Sequence, residues 1–108
     1  MEQLKIQEKV GANYILLEIS GAIDSYSFKE LQLKLFELIR ETNVVLDLEE
    51  VTAMDSSGLT VILGTFNLGE DFGRKLYILH PSPEAKKAID STGFSSLLRI
   101  INTITEVL

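Results

Sequence analysis

VVLDLEEVTAMDSSGLTVILG, residues Val44 to Gly64, carries two periodicities in succession. Val44, Val45 and Leu46 open it, Asp47 interrupts, Leu48 resumes, and the acidic Glu49-Glu50 pair reads as a polar turn leading into Met54-Asp55-Ser56-Ser57-Gly58. Beyond that point apolar residues fall at 59, 62, 63 and 66, the spacing of a helix face rather than of a strand. The reading is strand, short loop, helix. A run that is apolar almost throughout suits a strand covered on both faces, as inner strands with parallel neighbours are, so this one is expected at the centre of a sheet.

The junction is the place where chemistry can sit. The first backbone N–H groups of a helix have no partner within it and carry the positive end of its dipole. Asp55 and Ser56 both have the side chains that cap such an end. Either they serve as caps only, or one hydroxyl is presented at the helix tip, where an added phosphoryl group would meet backbone donors and a favourable dipole.

On the N-terminal side, Leu4, Ile6 and Val10 alternate with polar residues, Gly11-Ala12-Asn13 supplies turn chemistry, and Tyr14 to Ser20 (YILLEIS) is rich in strand formers. These predict an antiparallel hairpin, with Gly21 to Asp24 as its exit. Phe28, Leu31, Leu35, Leu38 and Ile39 then form one apolar stripe of a helix. Its start fits a capping box of Ser27 with Glu30, although Asp24 or Ser25 serves equally as cap.

On the C-terminal side, Gly58, Gly64 and Gly69 lie along the helix after Ser56, where each interior glycine costs about 1 kcal/mol relative to alanine. They signal close packing or the near approach of a partner. Gly73 suits the helix end, and Leu76 to Leu79 a further strand reached through a right-handed crossover. Ser82-Pro83-Glu84 has the cap, first-turn proline and acid of a third helix, which Gly93 stops. Leu97 to Ile101 suits an edge strand, and Thr103 to Leu108 the start of a short terminal helix. The sum is an α/β domain with a small mixed sheet of four to five strands: an N-terminal antiparallel hairpin, then parallel βαβαβ, with helices packed on it.

The 108 residues suit one domain spanning 1–108. There is no cysteine, hence no disulfide frame, thiol nucleophile or thiolate metal site, which accords with a reducing cytoplasm. The N-terminus lacks the apolar core of a signal peptide, and no apolar run approaches the roughly 18 residues of a membrane span. A net charge of −6, with basic residues single or paired, disfavours nucleic acid and anionic membrane as partners. A protein partner is expected.

Catalysis finds little support. His80, the one histidine, sits between a strand and Pro81 with no metal-ligand spacing around it, and reads as a surface or capping residue. The serines of Asp55-Ser56-Ser57-Gly58 do not match the G-x-S-x-G elbow of hydrolases. A triad of Ser56, His80 and an aspartate would need assembly in space that no motif announces. No phosphate-binding or dinucleotide glycine pattern occurs. No catalytic residue, metal or cofactor is expected.

The central stretch resembles the signature of the STAS domain, and within it of the bacterial anti-sigma-factor antagonists: an apolar strand, a short acidic turn, D-S-[ST]-G-L, then V-I-L-G. Gly21-Ala22-Ile23-Asp24 is similar to the family's G-x-[IL]-D after the second strand, and Ser91-Thr92-Gly93-Phe94 to its helix-terminating S-G-[LF] element. The three elements in order cover nearly the whole chain, which the resemblance makes a single STAS domain. It implies a protein that, unphosphorylated, binds an anti-sigma factor that is also a serine kinase, releasing the sigma factor. It implies phosphorylation at Ser56, with Ser57 as the fallback, a partner-binding rim of Asp24, Asp55, Ser56, Ser57 and Gly58, and resetting by a serine phosphatase. A free antagonist of this family is expected to be a cytoplasmic monomer. The alternative is a STAS scaffolding subunit of a lipid-transport or stress-sensing complex that is not phosphorylated.

Overall fold

The computed structural model describes residues 3–107. Its strands are β1 (Lys5–Val10), β2 (Tyr14–Ile23), β3 (Asn43–Met54), β4 (Leu76–Leu79) and β5 (Arg99–Ile101). Its helices are α1 (Phe28–Ile39), α2 (Ser56–Phe72) and α3 (Pro83–Ser91), with 3-10 turns at Ser95–Leu97 and Ile104–Glu106. The strands form one mixed sheet in the order β1-β2-β3-β4-β5. The β1/β2 hairpin is antiparallel and every later pairing is parallel, with β3 in the middle. This is the mixed sheet expected, with five strands. The terminal helix expected from Thr103 is only a 3-10 turn, and Leu108 lies outside the described residues.

The two faces of the sheet are covered differently. Leu17, Ile19, Val44, Leu46, Leu48, Leu76 and Ile78 face one way and are buried beneath Leu31, Leu35 and Ile39 of α1, Val61 and Ile62 of α2, and Ala85 and Ile89 of α3. The intervening residues Leu16, Val45, Tyr77, Leu79 and Ile101 form a smaller cluster on the other face, closed by Tyr14, Ile104 and Val107 rather than by a helix. The continuous apolar character of Val44-Val45-Leu46, all fully buried, is thus explained by a cover on each side, of which only one is helical.

β3 runs further than the sequence suggests. Glu49 and Glu50 are strand residues, not a turn, because the backbone from Ser20 to Ile23 stays paired with it. Two register shifts let β3 gain a residue on β2 between Glu18 and Ser20 and again between Gly21 and Ala22. Each is a bulge that bends the ribbon. Gly21, at the second, has φ of +101°, and a Cβ there would stand 2.7 Å from the Gln3 carbonyl oxygen, so only glycine fits without strain. β4 pairs with β3 only from Val44 to Asp47. The last residues of β2 and β3 therefore extend beyond β4 and carry the starts of α1 and α2 to one rim.

Helix ends follow the local signals in part. Ser82 caps α3 by accepting from the Ala85 N–H at 3.1 Å, with Pro83 at the first position. Gly73 ends α2 in the left-handed conformation. Gly64 and Gly69 serve packing of α1 on α2: Cβ atoms there would lie 3.0 Å from Phe36 Cζ and 3.2 Å from Ile39 Cγ1. Among the described residues no helix is long and apolar enough to cross a membrane.

Candidate functional site

Pairing of Ile23 with Met54 brings the exits of β2 and β3 side by side, and the Asp55 N–H donates to the Ile23 carbonyl at 3.2 Å. Asp24 and Asp55 thus share one rim, as expected for two strand-to-helix connections of neighbouring parallel strands. The C-terminal ends of parallel strands are where open α/β sheets place their binding groups.

Asp55, not Ser56, caps α2. Its Oδ1 accepts from the Ser57 N–H at 2.8 Å and the Gly58 N–H at 3.4 Å, and its carbonyl accepts from the Leu59 N–H at 3.2 Å. The extended dihedrals of Asp55 (φ −105°, ψ −168°) set this geometry. Ser56 is consequently the first residue of the helix, exposed, and among the described residues its hydroxyl makes no hydrogen bond. A phosphoryl group on Ser56 would not find the Ser57 and Gly58 amides unengaged, because the Asp55 carboxylate already holds both. The Asp55 carboxylate immediately precedes Ser56 in the chain.

The start of α1 is built otherwise. Ser27 occupies the N-cap position but with helical dihedrals, and its hydroxyl turns back to donate to the Ala22 carbonyl at 2.8 Å, so the expected capping box with Glu30 does not form. Asp24 organises the loop: its Oδ1 accepts from the Tyr26 N–H at 2.9 Å and the Ser27 N–H at 3.2 Å, while its own N–H donates to Ser27 Oγ at 3.0 Å. Asp24 is half-buried, whereas Ser25 and Tyr26 are exposed.

Ser57 is half-buried and Gly58 buried. A Cβ on Gly58 would lie 2.8 Å from both Ile23 Cγ2 and Met54 Cγ. Its hydrogen side chain lets α2 settle onto the ends of β2 and β3, so Gly58 supports the rim from beneath.

A second polar group assembles at the end of β4, against the middle of β3. Asp47, Glu49 and His80 bring their ligating atoms within 4.8 Å of one another. Nothing in chain order announces this, because it depends on the register of Asp47 against Leu79. His80 takes a left-handed φ of 47°, its Nε2 contacts the Asn102 carbonyl, and its Nδ1 lies 3.7 Å from Glu49 Oε2. Among the described residues no hydrogen bond joins this ring to Ser56, and the Ser56–His80 pair that a hydrolase would need is not assembled. Asp47 accepts the Glu49 N–H at 3.0 Å. Burial raises its carboxyl above the ordinary range; that hydrogen bond opposes the shift, and the Glu49 and Glu18 carboxylates add to it.

The sequence model of the STAS domain matches residues 3–107. The chain is 32% identical over 98 residues to the anti-sigma-B factor antagonist of Bacillus subtilis, covering 90% of each chain. Among solved structures, the unphosphorylated form of the anti-sigma factor antagonist SpoIIAA superposes with a TM-score of 0.74 at 22% identity, covering 98% of this chain and 91% of that one. The phosphorylated form of SpoIIAA from Bacillus gives 0.69 at 23% identity, covering 98% and 95%. At that identity the two structures speak to the fold.

Proposed function

We propose, from the premise that the chain belongs to the STAS domain family, that it works as an anti-sigma-factor antagonist switched by phosphorylation of Ser56. Unmodified, the rim of Asp24, Asp55 and Ser56 binds an anti-sigma factor that is also a serine kinase, and the sigma factor held there is released. The observation that carries this reading is the exposed Ser56 hydroxyl at the first position of α2, with the Asp55 carboxylate fixed beside it and Asp24 on the same rim. The relative from Bacillus subtilis is an antagonist by name, and SpoIIAA, of the same fold, exists in phosphorylated and unphosphorylated forms.

In the modification step Ser56 Oγ attacks the γ-phosphorus of kinase-bound ATP. The Oγ–P bond forms, the bond to the ADP oxygen breaks, and the hydroxyl proton passes to a base of the kinase. The kinase supplies ATP and magnesium; this chain is a substrate, not an enzyme. The phosphoryl group adds about −1.5 to −2 charges at neutral pH. With two amides already committed to Asp55, that charge meets carboxylates sooner than donors, and a partner surface that neutralised Asp24 and Asp55 would face a changed charge balance. The helix dipole offsets part of the cost within the chain. A serine phosphatase resets the switch by hydrolysing the ester, and the free antagonist is a cytoplasmic monomer.

The test is phosphopeptide mapping of the protein recovered from its own cells, where trypsin releases Glu41 to Arg74 as one piece, since no Lys or Arg lies between Arg40 and Arg74. One phosphoryl group on Ser56 in part of the population is expected, together with partner binding retained by Ser56→Ala and weakened by Ser56→Asp. Unmodified peptide under all growth conditions, with transporter or scaffold proteins as the only partners, would overturn the reading in favour of a scaffolding subunit.

A further inference from the structure

Ser56 does not stand alone on its side of α2. At 100° per residue, Thr60, Leu63 and Asn67 follow it on nearly the same line of the helix. Ser56, Thr60 and Asn67 are exposed and Leu63 half-buried, so the line faces outward along its length. It runs into a groove of about 140 Å³ between Leu63, Phe66 and Asn67 of α2 and Phe94 and Leu97 of the turn after α3. Phe94 and Leu97 keep 48% and 53% of their surface exposed.

The turn that presents them is preorganised. Phe94 N–H donates to Thr92 Oγ1 at 2.9 Å, Thr92 Oγ1 is itself tied to the Ile89 carbonyl at 2.7 Å, and Leu97 N–H donates to the Phe94 carbonyl at 2.9 Å. Side chains on such a turn lose little further freedom when a partner covers them.

Distance decides whether the groove and the rim can share one partner. Seven to eleven residues separate Ser56 from Leu63 and Asn67, which at about 1.5 Å per residue is about 10 to 16 Å along the axis. An interface of ordinary size covers about 800 Å² on each side, a patch about 16 Å in radius. A footprint centred on Ser56 therefore reaches the groove. The acidic rim offers charge and one exposed ring, Tyr26 at 83%, and stable interfaces draw their energy from a few such apolar anchors surrounded by polar contacts, so the groove supplies further anchors for the same partner.

We infer that the groove is the apolar end of the partner's footprint: the anti-sigma factor that meets Asp24, Asp55 and Ser56 inserts one aliphatic or aromatic side chain between α2 and the Phe94–Leu97 turn. The inference rests on the antagonist reading above and adds the chemistry of the partner surface: a cationic patch with an apolar knob about 10 to 16 Å away.

The experiment is calorimetric titration of the purified cognate anti-sigma factor into this protein and its variants. Phe94→Ala combined with Leu97→Ala is expected to raise Kd about 10- to 100-fold. Asn67→Trp, an exposed position from which the new ring covers the groove, is expected to act likewise without touching the core. Leu33→Ala, which removes a 73%-exposed side chain on the outer face of α1, should leave Kd unchanged. Binding by wild type that Ser56→Asp weakens and both groove variants leave intact would overturn the groove and keep the antagonist. Absence of binding by wild type itself would overturn both. A concentration-dependent dimer in sedimentation, abolished by the groove variants while partner affinity stays unchanged, would assign the groove to a second copy and overturn the inference.

Discussion

The starts of α1 and α2 stand side by side at the ends of neighbouring parallel strands, yet they are built in opposite ways. At α2 an aspartate in extended conformation holds two amides of the first turn, and the serine that follows is left exposed. At α1 a serine sits in the cap position, takes helical dihedrals and spends its hydroxyl on the Ala22 carbonyl, while Asp24 fixes the loop three residues earlier. Both aspartates are occupied as acceptors. The difference is that α2 frees a hydroxyl and α1 consumes one. At α2 the serine hydroxyl is left exposed because a different residue has already satisfied the helix.

The largest effect expected from disturbing this arrangement lies beneath it. Gly58→Val would drive a branched side chain into Ile23 and Met54, which already lie 2.8 Å from an ideal Cβ. Overpacking of that kind costs about 2 to 3 kcal/mol, to be read from urea unfolding. Next come the caps. Asp55→Ala should cost about 1 to 2 kcal/mol through loss of the bonds to Ser57 and Gly58. Ser27→Ala, with no cap bond to lose, should cost about 0.5 to 1 kcal/mol. A loss below about 0.5 kcal/mol for Asp55→Ala would contradict the assignment of the α2 cap to Asp55. Ser56→Ala should change stability by no more than about 0.5 kcal/mol, since the hydroxyl is exposed. A larger loss would mean that Ser56 shares in capping.

The smallest effect concerns Asp47, at the other polar group of β3. Its carboxyl holds a proton more tightly in the folded chain than in the unfolded one, chiefly through burial. Its contribution to stability is thus complete below the unfolded pKa and is lost as pH rises through the higher folded value. Asp47→Asn should gain slightly on wild type at neutral pH and lose that advantage in acid, as thermal unfolding at pH 3 and pH 7 would reveal. The partial exposure of the side chain keeps the difference small.

Much of the fold was legible because its signals are local. The stripe of α1 and the Ser82-Pro83-Glu84 start of α3 each describe one element and its own backbone groups, whereas the alternation in β1 marks a strand but not its buried face, since Val10 is 80% exposed. The capping box at Ser27 failed for a non-local reason: the Ala22 carbonyl competes successfully for the same hydroxyl. Glu49 and Glu50 read as a turn by composition, yet parallel pairing with β2 provides backbone bonds that outweigh their weak strand preference.

Of the candidate site, the sequence alone determined the residue types, their order and the presence of a strand-to-helix junction at Asp55-Ser56, because periodicity and cap chemistry act within a few residues. Which of the two residues caps, that Asp24 stands beside them, that Gly58 lies beneath the rim, that His80 meets Glu49 and Asp47, and that Phe94 and Leu97 form a groove with α2 were decided by tertiary structure. Each depends on strand register or on helix packing across long stretches of chain, and such contacts leave no local periodicity to read.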